Sequence, residues 1–242
     1  MDGVAQRARD AYMTVALAIF VKTPGLSPVK TRLAATLGTS TAVRFHTLAA
    51  MATAAVARRC EPALVPYWAV AEADPRADEA WPGFARIRQG EGDLGARMHQ
   101  VYSELQARHG RALLIGADVP QLTPALLQVA LALLDDEATP YVLGDAADGG
   151  FWLVGGRARI ERSIWLGVRY SQADTAAQFR CALALHGGIA GVSTLRDVDD
   201  AADLSALTAS LANLTDPLPE QRELSGWLRT VGRHTTGMAL PP

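Results

Sequence analysis

The sequence predicts an α/β fold built on a mostly parallel sheet, and two observations carry that expectation. Short apolar runs recur along the chain, the first of them Val15 to Val21, continuous and rich in branched residues as in strands covered on both faces. Between the runs lie longer segments whose apolar residues fall at helical spacing. Strands that alternate with helices give a sheet with helices on both faces. With 242 residues, 49% of them apolar, the chain suffices for one large domain of this kind.

The elements follow in order. Val15 to Val21 is a buried strand, and Ser40 to Arg59 is an alanine-biased helix with Thr39 or Ser40 as N-cap. Leu64 to Ala71 is the second strand, Asp74 to Phe84, with Pro75, Pro82 and Gly83, a loop, and Arg86 to Gln89 a short strand. Asp93 opens a helix whose inner face is Leu94, Met98, Val101 and Leu105. Ala112 to Gly116 is a buried strand, after which Thr123 caps a helix that has Pro124 at its first position and runs to about Leu134. Tyr141 to Leu143 and Phe151 to Val154 are strands separated by GDAADGG. Ser171 to Leu185 is helical, Ile189 to Leu195 is the last strand, and short helices lie near Ala201 to Leu211 and Glu220 to Thr230. The domain organisation is one large α/β unit over 14–215, a loose extension over 1–13 and a peripheral segment over 216–242 that starts near Pro217 and Pro219.

Composition narrows the function. A net charge of −2 fits neither a disordered acidic chain nor a basic nucleic-acid binder. The charge is unevenly placed: no acid lies between Ala11 and Glu61, where Lys22, Lys30, Arg32, Arg44, Arg58 and Arg59 fall. Acids gather later, at Glu91, Asp118, Asp148 and Asp197 to Asp203. That division suits a ligand carrying phosphates and a divalent metal. Cys60 and Cys181 form no CxxC and are expected as buried free thiols of a cytoplasmic protein. The histidines show no zinc spacing, and no apolar stretch is long enough to span a bilayer. Met1 to Met13 lacks the apolar core of a secretory signal.

Ligands of open parallel sheets bind beyond the carboxyl ends of the strands, where four stretches of this chain fall. The loop VKTPGLSPVK places Lys22, Gly25, Lys30 and Arg32 between a strand and a helix, a composition suited to phosphates although neither GxxxxGK[ST] nor GxGxxG is present. QGEGDLGARM has glycines that admit close backbone approach, and Asp93 serves as ligand or as N-cap. LLIGADVPQLTP sets Asp118 directly after a buried strand, a hard-oxygen ligand suited to Mg²⁺. LGDAADGGFW offers Asp148, Gly149 and Gly150, a hairpin turn by composition and also a place where a substrate can lie against backbone amides.

Together FVKTPGLSPVKTRLAATLG, QGEGDLGARM, LIGADVPQLTPALL, VLGDAADGGFWLVGG and LRDVDDAADL resemble a bacterial family of GT-A-fold transferases. Its members are often labelled glycosyltransferases or radical-SAM/selenodomain-associated transferases. The chain is more distantly similar to the nucleotidyltransferases that make 2-phospholactate-guanosine diphosphate and the molybdenum-cofactor dinucleotide. The resemblance runs from about Val15 to Leu204 and implies a nucleotide-diphospho-sugar transferase fold of three α/β/α layers. It implies a nucleoside phosphate held by Lys22, Gly25, Lys30, Arg32, Gly92, Asp93 and Leu94, and an acceptor at Asp148, Gly149 and Gly150. Asp118, Asp197 and Asp199 would hold Mg²⁺ or Mn²⁺, and Lys30, Arg32 and Asp118 would carry the catalysis. Val119 stands where the family often has cysteine, Phe151 where it often has tyrosine, and the IWLGVRY of Ile164 to Tyr170 is unusual, which bears on the acceptor.

The expected activity is Mg²⁺-dependent transfer of a nucleotidyl group from a nucleoside triphosphate to a small phosphorylated or hydroxylated acceptor. Glycosyl transfer from a nucleotide sugar is the alternative on the same fold, with ADVP supplying only one aspartate of a DxD at that edge. A non-catalytic nucleotide-binding protein is a third. No nucleic-acid or membrane partner is expected. Asp118→Asn is expected to leave folding intact and to relieve repulsion from Asp148 or Asp199.

Overall fold

The computed structural model describes residues 14–236; the extension expected over 1–13 lies outside them. The chain runs β1 (Val15–Val21), α1 (Thr31–Leu37), α2 (Thr39–Arg59), β2 (Leu64–Val70), α3 (Pro75–Ala80), β3 (Ala85–Arg88), α4 (Leu94–His109) and β4 (Ala112–Gly116). It continues through α5 (Pro124–Leu133), β5 (Tyr141–Ala146), β6 (Phe151–Gly156), α6 (Arg162–Gly167), α7 (Thr175–Leu183), β7 (Ile189–Leu195), α8 (Asp203–Ala212) and α9 (Pro219–Thr236). The strands form one seven-stranded sheet in the order β3-β2-β1-β4-β6-β5-β7, parallel except for β6, which is antiparallel to both neighbours.

Both faces of the sheet are covered, as the apolar run of β1 requires. Leu17, Ile19 and Val21 point to the face where α2 contributes Ala50, Ala54 and Ala57 and α5 contributes Leu127 and Ala130. Ala16 and Ala18 point the other way, under Met98, Val101 and Leu105 of α4, Trp165 of α6 and Phe179 of α7. Alternate residues of one strand thus feed two separate cores. A third cluster joins α1, α2, α8 and α9 through Leu33, Phe45, Leu207, Leu211 and Leu224. In α9, Gln221 is buried and its amide donates to the carbonyls of Pro120 and Leu122, tying that helix to the chain just after Asp118.

Several expected details differ. The loop expected over Asp74 to Phe84 contains α3, because the Asp74 side chain accepts from Arg76 N and Pro75 takes the first helical position. Neither Thr39 nor Ser40 caps α2; Gly38 is the cap residue and no side chain caps the helix. β5 and β6 extend to Ala146 and to Gly156, which shortens the expected GDAADGG connection to a turn over 147–150. The segment from Ser171 becomes helical only at Thr175, and α6 precedes it. Cys60 is buried but Cys181 is exposed. No helix among the described residues is long and apolar enough to cross a membrane.

The burial pattern makes one contrast measurable. Leu224 is fully buried on α9, whereas Leu185, after α7, is 85% exposed. Leu224→Ala should destabilise by about 2–4 kcal/mol in urea unfolding. Leu185→Ala should stay within about 0.5 kcal/mol of the parent.

Candidate functional site

Parallel pairing of β1 with β4 sets Phe20 opposite Gly116, so the loop after Val21 and the segment Ala117–Asp118 leave the sheet side by side. The reversed β6 brings its first residue, Phe151, and the turn before it to the same edge. The chain leaving β7 adds Asp197 and Asp199. A cavity of about 690 Å³ opens there, and its wall includes Lys22, Lys30, Arg32, Asp118, Asp148 and Asp199. Leu94, Gly150 and Asp197 also reach it. Gly25, Gly92, Asp93 and Gly149, expected among the ligand contacts, do not reach the wall.

Lys30 is the centre of the arrangement. Its backbone is left-handed (φ 44°, ψ 53°), a conformation that a lysine adopts only under constraint. Its ammonium lies 2.7 Å from Asp118 Oδ2 and 3.4 Å from Asp199 Oδ1, with the side chain only 10% exposed. Burial would lower the Lys30 pKa, but the charge and hydrogen bond of Asp118, with the charges of Asp199 and Asp197, together hold the ammonium above its ordinary value. Burial would likewise raise Asp118, and Lys30, by charge and hydrogen bond, keeps that carboxyl below the usual range. Arg32 is exposed and reaches Asp199 Oδ2 at 3.4 Å. The charge of Asp118 is held by Lys30, a contact that the expected relief of repulsion from Asp148 or Asp199 leaves out. Its loss would leave Lys30 with only the 3.4 Å contact, so Asp118→Asn costs stability.

Asp118, Asp197 and Asp199 each place one ligand oxygen so that the three lie within 4.8 Å of one another. Burial, then repulsion from Asp118, Asp148 and Asp199, pushes the Asp197 carboxyl up to about 6. Three hard oxygens fit a divalent cation such as Mg²⁺ or Mn²⁺, and the Lys30 ammonium among them is a stand-in for its charge.

The glycine-rich stretch before α4 has structural duties. Asp93 caps α4 by accepting from Ala96 N at 2.8 Å. A Cβ on Gly95 would stand 2.5 Å from the Trp165 carbonyl oxygen, so its close approach is to α6. At the 147–150 turn, Gly150 N donates to Asp148 Oδ1 and Gly149 N to Ala146 O. Those amides are already committed, and the wall beside them is made by Asp148 with Phe151, Tyr170, Ser171 and Gln172.

Two further residues reach the wall: His46, which no motif marked, and Gln89, which opens QGEGDLGARM but was assigned no role of its own. His46 is buried on α2, and its Nε2–H donates to the Lys22 carbonyl at 2.9 Å, with burial lowering its pKa. Gln89 is buried at the end of β3 and donates to Val21 O and Ala69 O, fixing the edge from which the basic loop departs. His46 belongs to no spaced motif, and only the packing of α2 on β1 brings it to the cavity, whereas Gln89 opens QGEGDLGARM and so lay within a stretch already marked.

Comparisons with known proteins bear on the family and the fold. Residues 48–172 match the model of a family described as "Uncharacterized protein conserved in bacteria (DUF2064)". No curated protein matches the chain. Among solved structures, a candidate nucleotide-diphospho-sugar transferase from Desulfovibrio desulfuricans G20 superposes with a TM-score of 0.80 at 23% identity, covering 91% of this chain and 97% of its own. A nucleotidyl transferase from Methanothermobacter thermautotroptrophicus gives 0.56 at 12% identity, covering 83% of this chain and 99% of its own. A CMP:2-keto-3-deoxy-manno-octonic acid synthetase complexed with CTP gives 0.53 at 14% identity, covering 82% and 98%. The mostly parallel seven-stranded architecture is thus the nucleotide-diphospho-sugar transferase fold, as expected.

Two outcomes follow from the site's geometry. Gly149 has φ 91° and a Cβ there would overlap the Ala173 carbonyl oxygen, whereas one on Gly150 would stand 3.1 Å from Asp148 Oδ1. Gly149→Ala should therefore destabilise by about 1–3 kcal/mol in chemical denaturation and Gly150→Ala by less than about 1. Asp197, with its carboxyl at about 6, binds a proton more tightly folded than unfolded. It favours folding below about pH 4 and loses that contribution as pH rises through 6. In the presence of a chelator, Asp197→Asn should match the parent at pH 4. By pH 7 it should be more stable by about 1 kcal/mol, a value discounted for solvent screening. A stability difference that does not grow between those pH values would contradict the assigned repulsion.

Proposed function

The chain belongs to the DUF2064 family, and on that premise we propose that it is a divalent-metal-dependent nucleotidyltransferase acting on a nucleoside triphosphate and a small anionic or hydroxylated acceptor. The observation that carries this is the convergence of Lys30 and Arg32 with Asp118, Asp197 and Asp199 at one end of a cavity of about 690 Å³. A space of that order accommodates a nucleotide and a small second substrate. Cations and carboxylates in contact suit a ligand that is itself a metal complex of phosphates.

Within this assignment Lys30 and Arg32 stabilise the charge that builds on the departing phosphates, and Lys22, exposed at the same loop, adds a third cation. Asp118, Asp197 and Asp199 hold the metal. When bound, the ion supplies Lewis-acid polarisation of phosphoryl oxygens and neutralises their charge. Asp148, Phe151, Tyr170, Ser171 and Gln172 shape the acceptor end. An acceptor that is already an anion needs no general base. This suits a site whose wall-lining histidine, His46, already spends one ring nitrogen on the Lys22 carbonyl.

Glycosyl transfer from a nucleotide sugar is the second assignment, favoured by the description of the Desulfovibrio protein. The two differ in product. Incubating the protein with nucleoside triphosphates or nucleotide sugars, Mg²⁺ or Mn²⁺ and a panel of phosphorylated acceptors should release pyrophosphate for nucleotidyl transfer and nucleoside diphosphate for glycosyl transfer. Asp118→Asn should lower turnover by about 100-fold or more. Arg32→Ala, an exposed substitution, should weaken binding of the active nucleotide by about 1.5–3 kcal/mol, read by calorimetry, with thermal stability unchanged. Unaltered affinity in that variant would remove Arg32 from the phosphate site.

A further inference from the structure

The cation that the sequence assigns to phosphates and the carboxylate that it assigns to metal are bonded to each other. Asp118 Oδ2 holds the Lys30 ammonium at 2.7 Å, and Asp199 Oδ1 stands 3.4 Å from it. A divalent ion bound to Oδ2 would sit about 2.1 Å from the oxygen that the ammonium already holds. The Lys30 side chain is only 10% exposed, so repulsion between the two cations would be weakly screened. Arg32 is exposed and stands 3.4 Å from Asp199, too far out to replace Lys30 at Asp118.

We propose that Lys30 is the resident counter-cation of the Asp118, Asp197 and Asp199 trio, so that the site takes its metal and its polyphosphate together, as a chelate, rather than the bare ion first. Lys30 leaves the carboxylates only when phosphate oxygens arrive to receive it, and the ion takes the place it vacates. Its flexible four-carbon stem permits that exchange while the backbone at φ 44° stays in place. The inference deepens the nucleotide assignment above and rests on it for the identity of the polyphosphate.

The test measures Mn²⁺ affinity on the full chain by electron paramagnetic resonance without nucleotide, in the parent, Lys30→Gly and Lys30→Met. Glycine suits the left-handed backbone at residue 30, and methionine keeps the side-chain length, so agreement between them isolates the ammonium. Both variants should bind Mn²⁺ alone at least about tenfold tighter than the parent, an ordinary size for coupling between two ligands. In parallel, calorimetry on the parent should show preformed Mn²⁺–tripolyphosphate binding at least about tenfold tighter than either Mn²⁺ or tripolyphosphate alone. Variants that bind Mn²⁺ no tighter than the parent would overturn the proposal, as would a chelate bound no tighter than the bare ion. The parent measurement stands even if a variant fails to fold. Failure of the nucleotide assignment has a separate signature: the tripolyphosphate chelate binds, and no nucleoside triphosphate chelate does.

Discussion

Everything at the site depends on the register of β1 against β4. The pairing runs from Ala16 opposite Ala112 to Phe20 opposite Gly116, so two strands far apart in sequence end level with each other. A slip of one residue would send Leu17 and Ile19 to the face now lined by Ala16 and Ala18, beneath α4, where there is no room for them. The hydrophobic pattern therefore fixes where Lys30 stands relative to Asp118. The position of this ion pair is inherited from core packing.

The contact itself combines strain and charge. A left-handed lysine is unfavourable, and so is a nearly buried ammonium, yet together they give a 2.7 Å ion pair that also joins the loop to the sheet edge. Around it the acids crowd, and Asp197 responds with a carboxyl at about 6. Unusual backbone and shifted pKa values of this kind are more frequent at functional sites than elsewhere.

Much of this was legible in the sequence. The strands stood out because both faces of the sheet are buried, which leaves uninterrupted apolar runs such as Val15 to Val21. The basic loop and Asp118 were legible because each follows such a strand directly. The α3 helix was not, since Pro75 and Pro82 suggest a loop and only the Asp74 cap and a first-turn proline reveal it. The Lys30–Asp118 bond was also hidden. Sequence places each residue at the sheet edge, but a contact across 88 positions is decided by register and side-chain reach. His46 shares that difficulty. Asp93 shows the opposite case, a residue whose capping role was visible beside a ligand role and whose geometry is that of a cap.

The strand order has a temporal consequence. β1 lies in the interior of the sheet, with β2 on one side and β4 on the other, and β4 begins only at Ala112. At ribosomal speeds of about 5–20 residues per second, some 5–20 s separate synthesis of β1 from synthesis of its second partner. Throughout that interval one edge of a wholly apolar strand is open to pairing with other chains. By then α2, with its buried run of alanines, is available to cover one face of β1 and β2 to pair its other edge, which leaves the edge awaiting β4 as the exposed one.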